Sequence, residues 1–119
     1  MKNYRWVTIG CGDIAHQFAQ AMRQEGRTLY GVANRTYEKA AAFADEYGIS
    51  TVYEKISDVF TDENVDIVYI ATPHNTHSSY ITEALRHGKH VLCEKAITLD
   101  VSDLTTAQAL ARERGLVLA

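Results

Sequence analysis

Two kinds of hydrophobic pattern alternate along the chain. Short, almost continuous apolar runs end at Gly10 and occupy residues 28–33, 51–53, 65–71, 89–93 and 116–119. With so little alternation they read as strands of a parallel sheet covered on both faces. Between them, apolar residues recur at helical spacing: Ile14, Phe18, Ala19 and Met22; Ala40, Ala41, Phe43, Ala44 and Tyr47; Tyr80, Ile81, Ala84 and Leu85; Leu104, Ala107 and Leu110. A brief helical turn is expected at 56–60. Helix ends are marked by Gly26, Gly48, Gly88 and Gly115, where a left-handed cap is expected. Thr36 is the expected N-cap of the second helix, and the last helix opens near Asp100 or Ser102. Asp62-Glu63-Asn64 is a polar loop. The only proline, Pro73, ends the strand before it and starts a loop over 73–77. The order βαβαβ(α)βαβαβ, with short connections and no repeats or linkers, predicts a single α/β domain over 1–119 built on a doubly wound parallel sheet.

Composition narrows the classes of function. A chain of 119 residues, 46% hydrophobic and 23% charged, is an ordinary globular domain. It is short for an enzyme with separate cofactor and substrate domains. A formal net charge of −3 argues against a nucleic-acid surface or a polybasic membrane patch. No apolar run is long enough to span a bilayer, and the first strand begins too early to leave room for a signal peptide. The expectation is a cytoplasmic protein. Cys11 and Cys93 form neither a disulfide framework nor a C-x-x-C site and are expected as free buried thiols.

The first strand exits into Gly10-Cys11-Gly12-Asp13-Ile14-Ala15, a G-x-G-x-x-A sequence opening a helix. Gly10 permits a tight turn, Gly12 lacks the Cβ that would block a pyrophosphate, and Ala15 lets helix and strand approach. The amides of Cys11, Gly12, Asp13 and Ile14 then face an anion at the positive end of the helix dipole. The glycines alone are a weak signal, since Gly-rich turns also serve packing. Between a first strand and a first helix they predict the dinucleotide-binding turn of a Rossmann-type sheet.

Ligands of such sheets bind at the carboxyl ends of the strands beside the switch point. Four segments are expected there: the glycine turn, Asn34-Arg35, residues 72–77 and Glu94-Lys95. An acidic residue after the second strand would bind the ribose of NAD, but here Asn34 and Arg35 follow it. They leave nothing to repel a 2′-phosphate and offer a guanidinium to hold it, so NADP is preferred over NAD. The other reading is a solvated turn, in which Asn and Arg are common. Thr72, Pro73, Asn75 and His77 suit a loop facing a nicotinamide ribose; a plain βα loop capped by Asn75 or Thr76 is the alternative. His74 and His77 form H-x-x-H, but no third ligand stands at zinc-site spacing, and no metal is expected. His87 is expected against the carbonyl end of its helix and His90 at the edge of a strand. Lys95 is the candidate for chemistry: a partly desolvated amine beside a nicotinamide can exchange a proton with a substrate hydroxyl. Glu94 would orient it or hold a ribose. A surface Glu-Lys pair is the competing reading, and the residues alone do not separate the two.

Taken together, G-C-G-D-I-A at 10–15, V-A-N-R-T at 32–36, D-I-V-Y-I-A-T-P-H-N-T-H at 66–77 and G-K-H-V-L-C-E-K-A at 88–96 resemble the N-terminal domain of the glucose-fructose oxidoreductase/inositol dehydrogenase/MocA family. The resemblance covers nearly the whole chain. It implies an NAD(P)-dependent oxidoreductase acting on a sugar, cyclitol or related polyol, with Lys95 of the family's E-K-P motif in acid/base work. Ala96 replaces that motif's proline, removing the φ restraint on the lysine's segment. Family members continue into a second, sheet-rich domain that supplies the substrate pocket and usually the oligomer interface. The chain is therefore expected to be the cofactor-binding part of a longer homo-oligomeric enzyme, inactive alone. A stand-alone nucleotide-sensing module of the same fold is the alternative, and a degenerate structural domain a third.

Overall fold

The computed structural model describes residues 4–71, 77–93 and 101–118. Five strands, β1 (Trp6–Ile9), β2 (Gly31–Ala33), β3 (Thr51–Tyr53), β4 (Ile67–Ile70) and β5 (His90–Cys93), alternate with helices. The helices are α1 (Asp13–Gln24), α2 (Tyr37–Tyr47), α3 (Ser57–Thr61), α4 (His77–Arg86) and α5 (Val101–Arg114). All neighbouring strands pair in parallel, in the order β3-β2-β1-β4-β5. The expected Rossmann-type sheet is thus observed, with its switch point between β1 and β4.

Strand alternation divides the core between the two faces of the sheet. Val7, Ile9, Val68, Ile70 and Val91 pack with Ile81, Leu85, Ala107 and Ala111 of α4 and α5. Val32 packs with Ala15, Ala19 and Met22 of α1 and with Ala40 and Phe43 of α2. Alanines at these contacts let the α1/α2 layer lie close to the strands.

Several expectations are adjusted. Ile14 is not on the buried stripe of α1: it is 38% exposed, because the helix turns the smaller Ala15 and Ala19 toward the sheet. The second strand covers only 31–33, since 27–30 return the chain from α1. Thr36 occupies the N-cap position of α2 with extended backbone, but its side chain makes no capping bond. Gly26 and Gly48 have positive φ (74° and 67°) as left-handed caps require. The sixth strand is present as a single parallel bridge between Val91 and Leu118.

Candidate dinucleotide site at the carboxyl edge of the sheet

One row of paired residues defines the edge: Tyr53, Ala33, Ile9, Ile70 and Cys93 stand level across the five strands. The residues that follow therefore leave the sheet side by side. Gly10 is buried with φ 108°, a conformation that favours glycine, and its N–H donates to Ala33 O at 2.8 Å. The N–H of Ala71 donates to Ile9 O at 2.9 Å. Thr8, fully buried, donates its hydroxyl to Gly10 O at 3.2 Å and so steadies the turn from beneath.

Gly12 differs from the other structural glycines in what demands it. Its backbone (φ −79°, ψ −170°) is open to any residue, and a Cβ built there meets nothing within 4 Å. Neither conformation nor packing within the chain calls for glycine. It stands exposed at the N-cap of α1, where no side chain caps the first turn, and the first amides of any helix lack intrahelical partners. This donor set, at the positive end of a 12-residue helix, fits a pyrophosphate. Asp13 and Ile14 are exposed at the same turn.

Cys11 is half-buried and free rather than fully buried, which corrects the expectation for this thiol. Burial pushes its pKa up to about 11, against a smaller opposing pull from Lys39. At neutral pH the thiol is uncharged and does not repel phosphate. Asn34 is half-buried and donates from Nδ2 to Thr36 O at 3.2 Å, while Arg35 is exposed beside it. The structure thus brings Gly10 to Ile14 and Asn34-Arg35 together at the ends of adjacent strands. Thr72, Pro73, His74, Asn75, Thr76, Glu94, Lys95 and Ala96 lie outside the described residues. His77 opens α4, and its side chain is outside them as well. The Cys93 side chain is likewise outside.

Sequence reasoning did not single out Thr8, His16 or Lys39. A small recess beside Cys11 is lined by His16, Lys39, Phe43 and Glu46. His16 Nδ1 stands 2.7 Å from the Tyr47 hydroxyl, joining α1 to α2. The available signal for Lys39 was its place in the first turn of the helix that follows Asn34-Arg35. Away from the site, His87 Nδ1 lies 2.8 Å from Glu83 O at the carbonyl end of α4, as expected. Among the described residues no group of His, Cys, Asp and Glu is arranged to hold a metal ion. No helix among them is long and apolar enough to cross a membrane.

Known proteins give the same outline. The model of the oxidoreductase family GFO_IDH_MocA, NAD-binding Rossmann fold, matches residues 4–119. The chain is 35% identical over 115 residues to the 1,5-anhydro-D-fructose reductase of Ensifer adhaerens, covering 96% of this chain and 34% of that protein. It is 42% identical to the dTDP-3,4-didehydro-2,6-dideoxy-alpha-D-glucose 3-reductase of Streptomyces violaceoruber, covering 92% of this chain and 32% of that one. Among solved structures, a 3-ketoreductase from Actinomadura kijaniata in complex with NADP and TDP-benzene superposes with a TM-score of 0.89 at 37% identity. That match covers 98% of this chain and 36% of the other. The chain spans about a third of the length of the curated relatives it matches.

Proposed function

The chain belongs to the Gfo/Idh/MocA oxidoreductase family, and from that premise we propose that it is the cofactor-binding part of an enzyme that moves hydride between a nicotinamide dinucleotide and a sugar, cyclitol or related polyol. The observation that carries this reading is Gly12, a glycine required by nothing inside the chain and placed where a pyrophosphate would lie. In this reading the backbone N–H groups of Cys11, Gly12, Asp13 and Ile14 hold the pyrophosphate, and Gly10, its own N–H bonded to Ala33 O, shapes the turn that presents them. Asn34 and Arg35 hold the adenosine ribose, with NADP preferred. Lys39, one helical turn on, adds a second positive charge on that side. The NADP carried by the Actinomadura reductase supports the preference.

The rest of the site rests on position in the sequence. Thr72, Pro73, Asn75, His77 and Glu94 serve the nicotinamide end. They belong to the segments that follow β4 and β5, whose last residues stand level with that of β1. The chemistry that bound nicotinamide supplies is the exchange of hydride with a substrate carbon. Lys95 gives or takes the accompanying proton at its Nζ, two residues beyond the end of β5. Substrate selection, the homo-oligomeric assembly and a cytoplasmic location belong to the longer protein in this proposal.

The test is calorimetric titration of the chain with NADP⁺ and then NAD⁺, repeated with Arg35→Ala and Lys39→Ala. The proposal predicts weak binding of both, tighter for NADP⁺, with the preference reduced in each variant. Equal binding of the two cofactors overturns the preference, and binding of neither overturns the dinucleotide reading. In the longer enzyme Lys95→Ala is expected to lower kcat far more than cofactor affinity.

A further inference from the structure

Thr8 is an unusual residue for its place. It stands inside β1, level with Val32 of β2 on one side and Tyr69 of β4 on the other. Val32 packs under α1 and α2, and the Tyr69 ring stacks on Phe18 of α1, so strand alternation turns Thr8 to this same face. It is 0% exposed. A strand covered on both faces ordinarily carries Val, Ile or Leu at such a position. A buried hydroxyl is unfavourable there unless it is hydrogen-bonded, and this one donates to Gly10 O at 3.2 Å.

That carbonyl belongs to the least anchored peptide of the glycine turn. The peptide before it, between Ile9 and Gly10, is held from both sides: the N–H of Ala71 donates to Ile9 O, and the N–H of Gly10 donates to Ala33 O. The Gly10–Cys11 peptide is held at its oxygen by Thr8, and among the described residues no other group bonds either end of it. The peptide is trans, so its carbonyl and the Cys11 N–H lie on opposite sides. With the oxygen drawn beneath the turn, the N–H points away from the buried face. Glycine, lacking a Cβ, lets such a peptide turn over at little cost.

We propose that Thr8 is a positioning residue for the dinucleotide: by holding Gly10 O beneath the turn, it keeps the Cys11 N–H aimed at the pyrophosphate. The inference rests on the dinucleotide reading above and concerns a side chain buried out of the cofactor's reach. Without the hydroxyl, Gly10 O is an unpaired acceptor against apolar surroundings, and rotation of the peptide toward water relieves it. The rotated peptide presents an oxygen where a donor stood. Only the fraction of molecules with the donor outward binds, so the apparent Kd rises as that fraction falls. A threonine selected only for its branched shape predicts none of this, because valine has the same shape.

Two variants separate these roles. Thr8→Val keeps the shape and removes the hydroxyl, whereas Thr8→Ser keeps the hydroxyl and removes a buried methyl. NADP⁺ and NAD⁺ are titrated into the 119-residue chain and both variants, and the unfolding midpoints are recorded. The two cofactors share the pyrophosphate. Thr8→Val is therefore expected to weaken both by the same factor, about three- to tenfold, at a midpoint close to the parent's. Thr8→Ser should bind like the parent at a lower midpoint. Without cofactor, the NOE between Gly10 Hα and the Cys11 amide should change in Thr8→Val and not in Thr8→Ser, reporting the turned peptide. Parent-like affinity or an unchanged NOE in Thr8→Val overturns the proposal. So does a shifted ratio of the two affinities, an equal loss of binding in Thr8→Ser, or a Thr8→Val chain that does not fold, which would assign the hydroxyl to the sheet alone. Binding of neither cofactor by the parent is a different failure: it overturns the dinucleotide reading itself, and this inference with it.

Discussion

The two edges of the sheet treat polar groups in opposite ways. At the amino edge the chain satisfies itself: the Tyr53 hydroxyl, reaching back past Gly31 from the carboxyl end of β3, donates to Asp62 Oδ2 at 2.7 Å, and Lys89 Nζ donates to Asp62 O at 2.6 Å. Asn64 N donates to Asp62 Oδ1 at 2.9 Å, and Arg5 N to Asp66 Oδ2 at 2.8 Å. At the carboxyl edge, Gly12 and the first turn of α1 point donors and empty space outward. One glycine belongs to each arrangement. A Cβ on Gly31 would stand 2.7 Å from Tyr53 Cε2 and 3.3 Å from Thr51 O, whereas one on Gly12 meets nothing. The difference teaches that the fold demands glycine at 31 and not at 12, which under the proposed function leaves Gly12 to a ligand.

The contrast can be broken from the structural side first. Gly31→Ala has the largest expected effect on folding, because the Tyr53 ring cannot swing away without giving up its bond to Asp62. Overpacking of this kind costs about 2–3 kcal/mol, read as a lower midpoint in denaturant. Tyr53→Phe removes the same bond without a clash and is expected to cost about 1–2 kcal/mol.

The pH dependence sharpens the comparison. The Tyr53 hydroxyl, above all, holds the Asp62 carboxyl below its ordinary value. A carboxyl depressed in the folded state contributes stability above its unfolded pKa and loses it as the pH falls through the folded one. Stability should therefore drop below roughly pH 4, and the gap between the parent and Tyr53→Phe should narrow there. Burial moves Lys89 the other way, lowering its pKa by disfavouring the ammonium. For a lysine so shifted, stability rises as the pH climbs between the folded and unfolded values. A urea midpoint measured from acid to alkaline pH reads both limbs.

Much of this was legible in the sequence because α/β periodicity is local. Each strand is a nearly uninterrupted apolar run, and α1, α2, α4 and α5 are each followed within two residues by a glycine. The glycine turn was readable because its spacing carries its own mechanism. Other features depend on residues distant in the chain, and no local pattern announces them. Thr8 matters through a bond to Gly10 made inside the sheet, and Gly31 through a tyrosine on the neighbouring strand. The exposure of Ile14 followed from which face of α1 could lie closest to the strands. Lys39 was missed because its link to Cys11 crosses from α2 to the glycine turn. The chemistry assigned to Lys95 was read from its motif, and its test lies in kinetics.

The smallest expected effect on folding belongs to the residue with the largest expected effect on binding. In Gly12→Ala, a weaker N-cap and a less flexible unfolded chain offset each other to within about 1 kcal/mol. The measurement to make is NADP⁺ titration of the parent chain and of Gly12→Ala, with the unfolding midpoint of both recorded in the same buffer. The account predicts nearly equal midpoints and affinity reduced about tenfold or more by a methyl group in the phosphate's place. Equal affinities at equal stability would contradict it, because Gly12 would then be a glycine without a ligand.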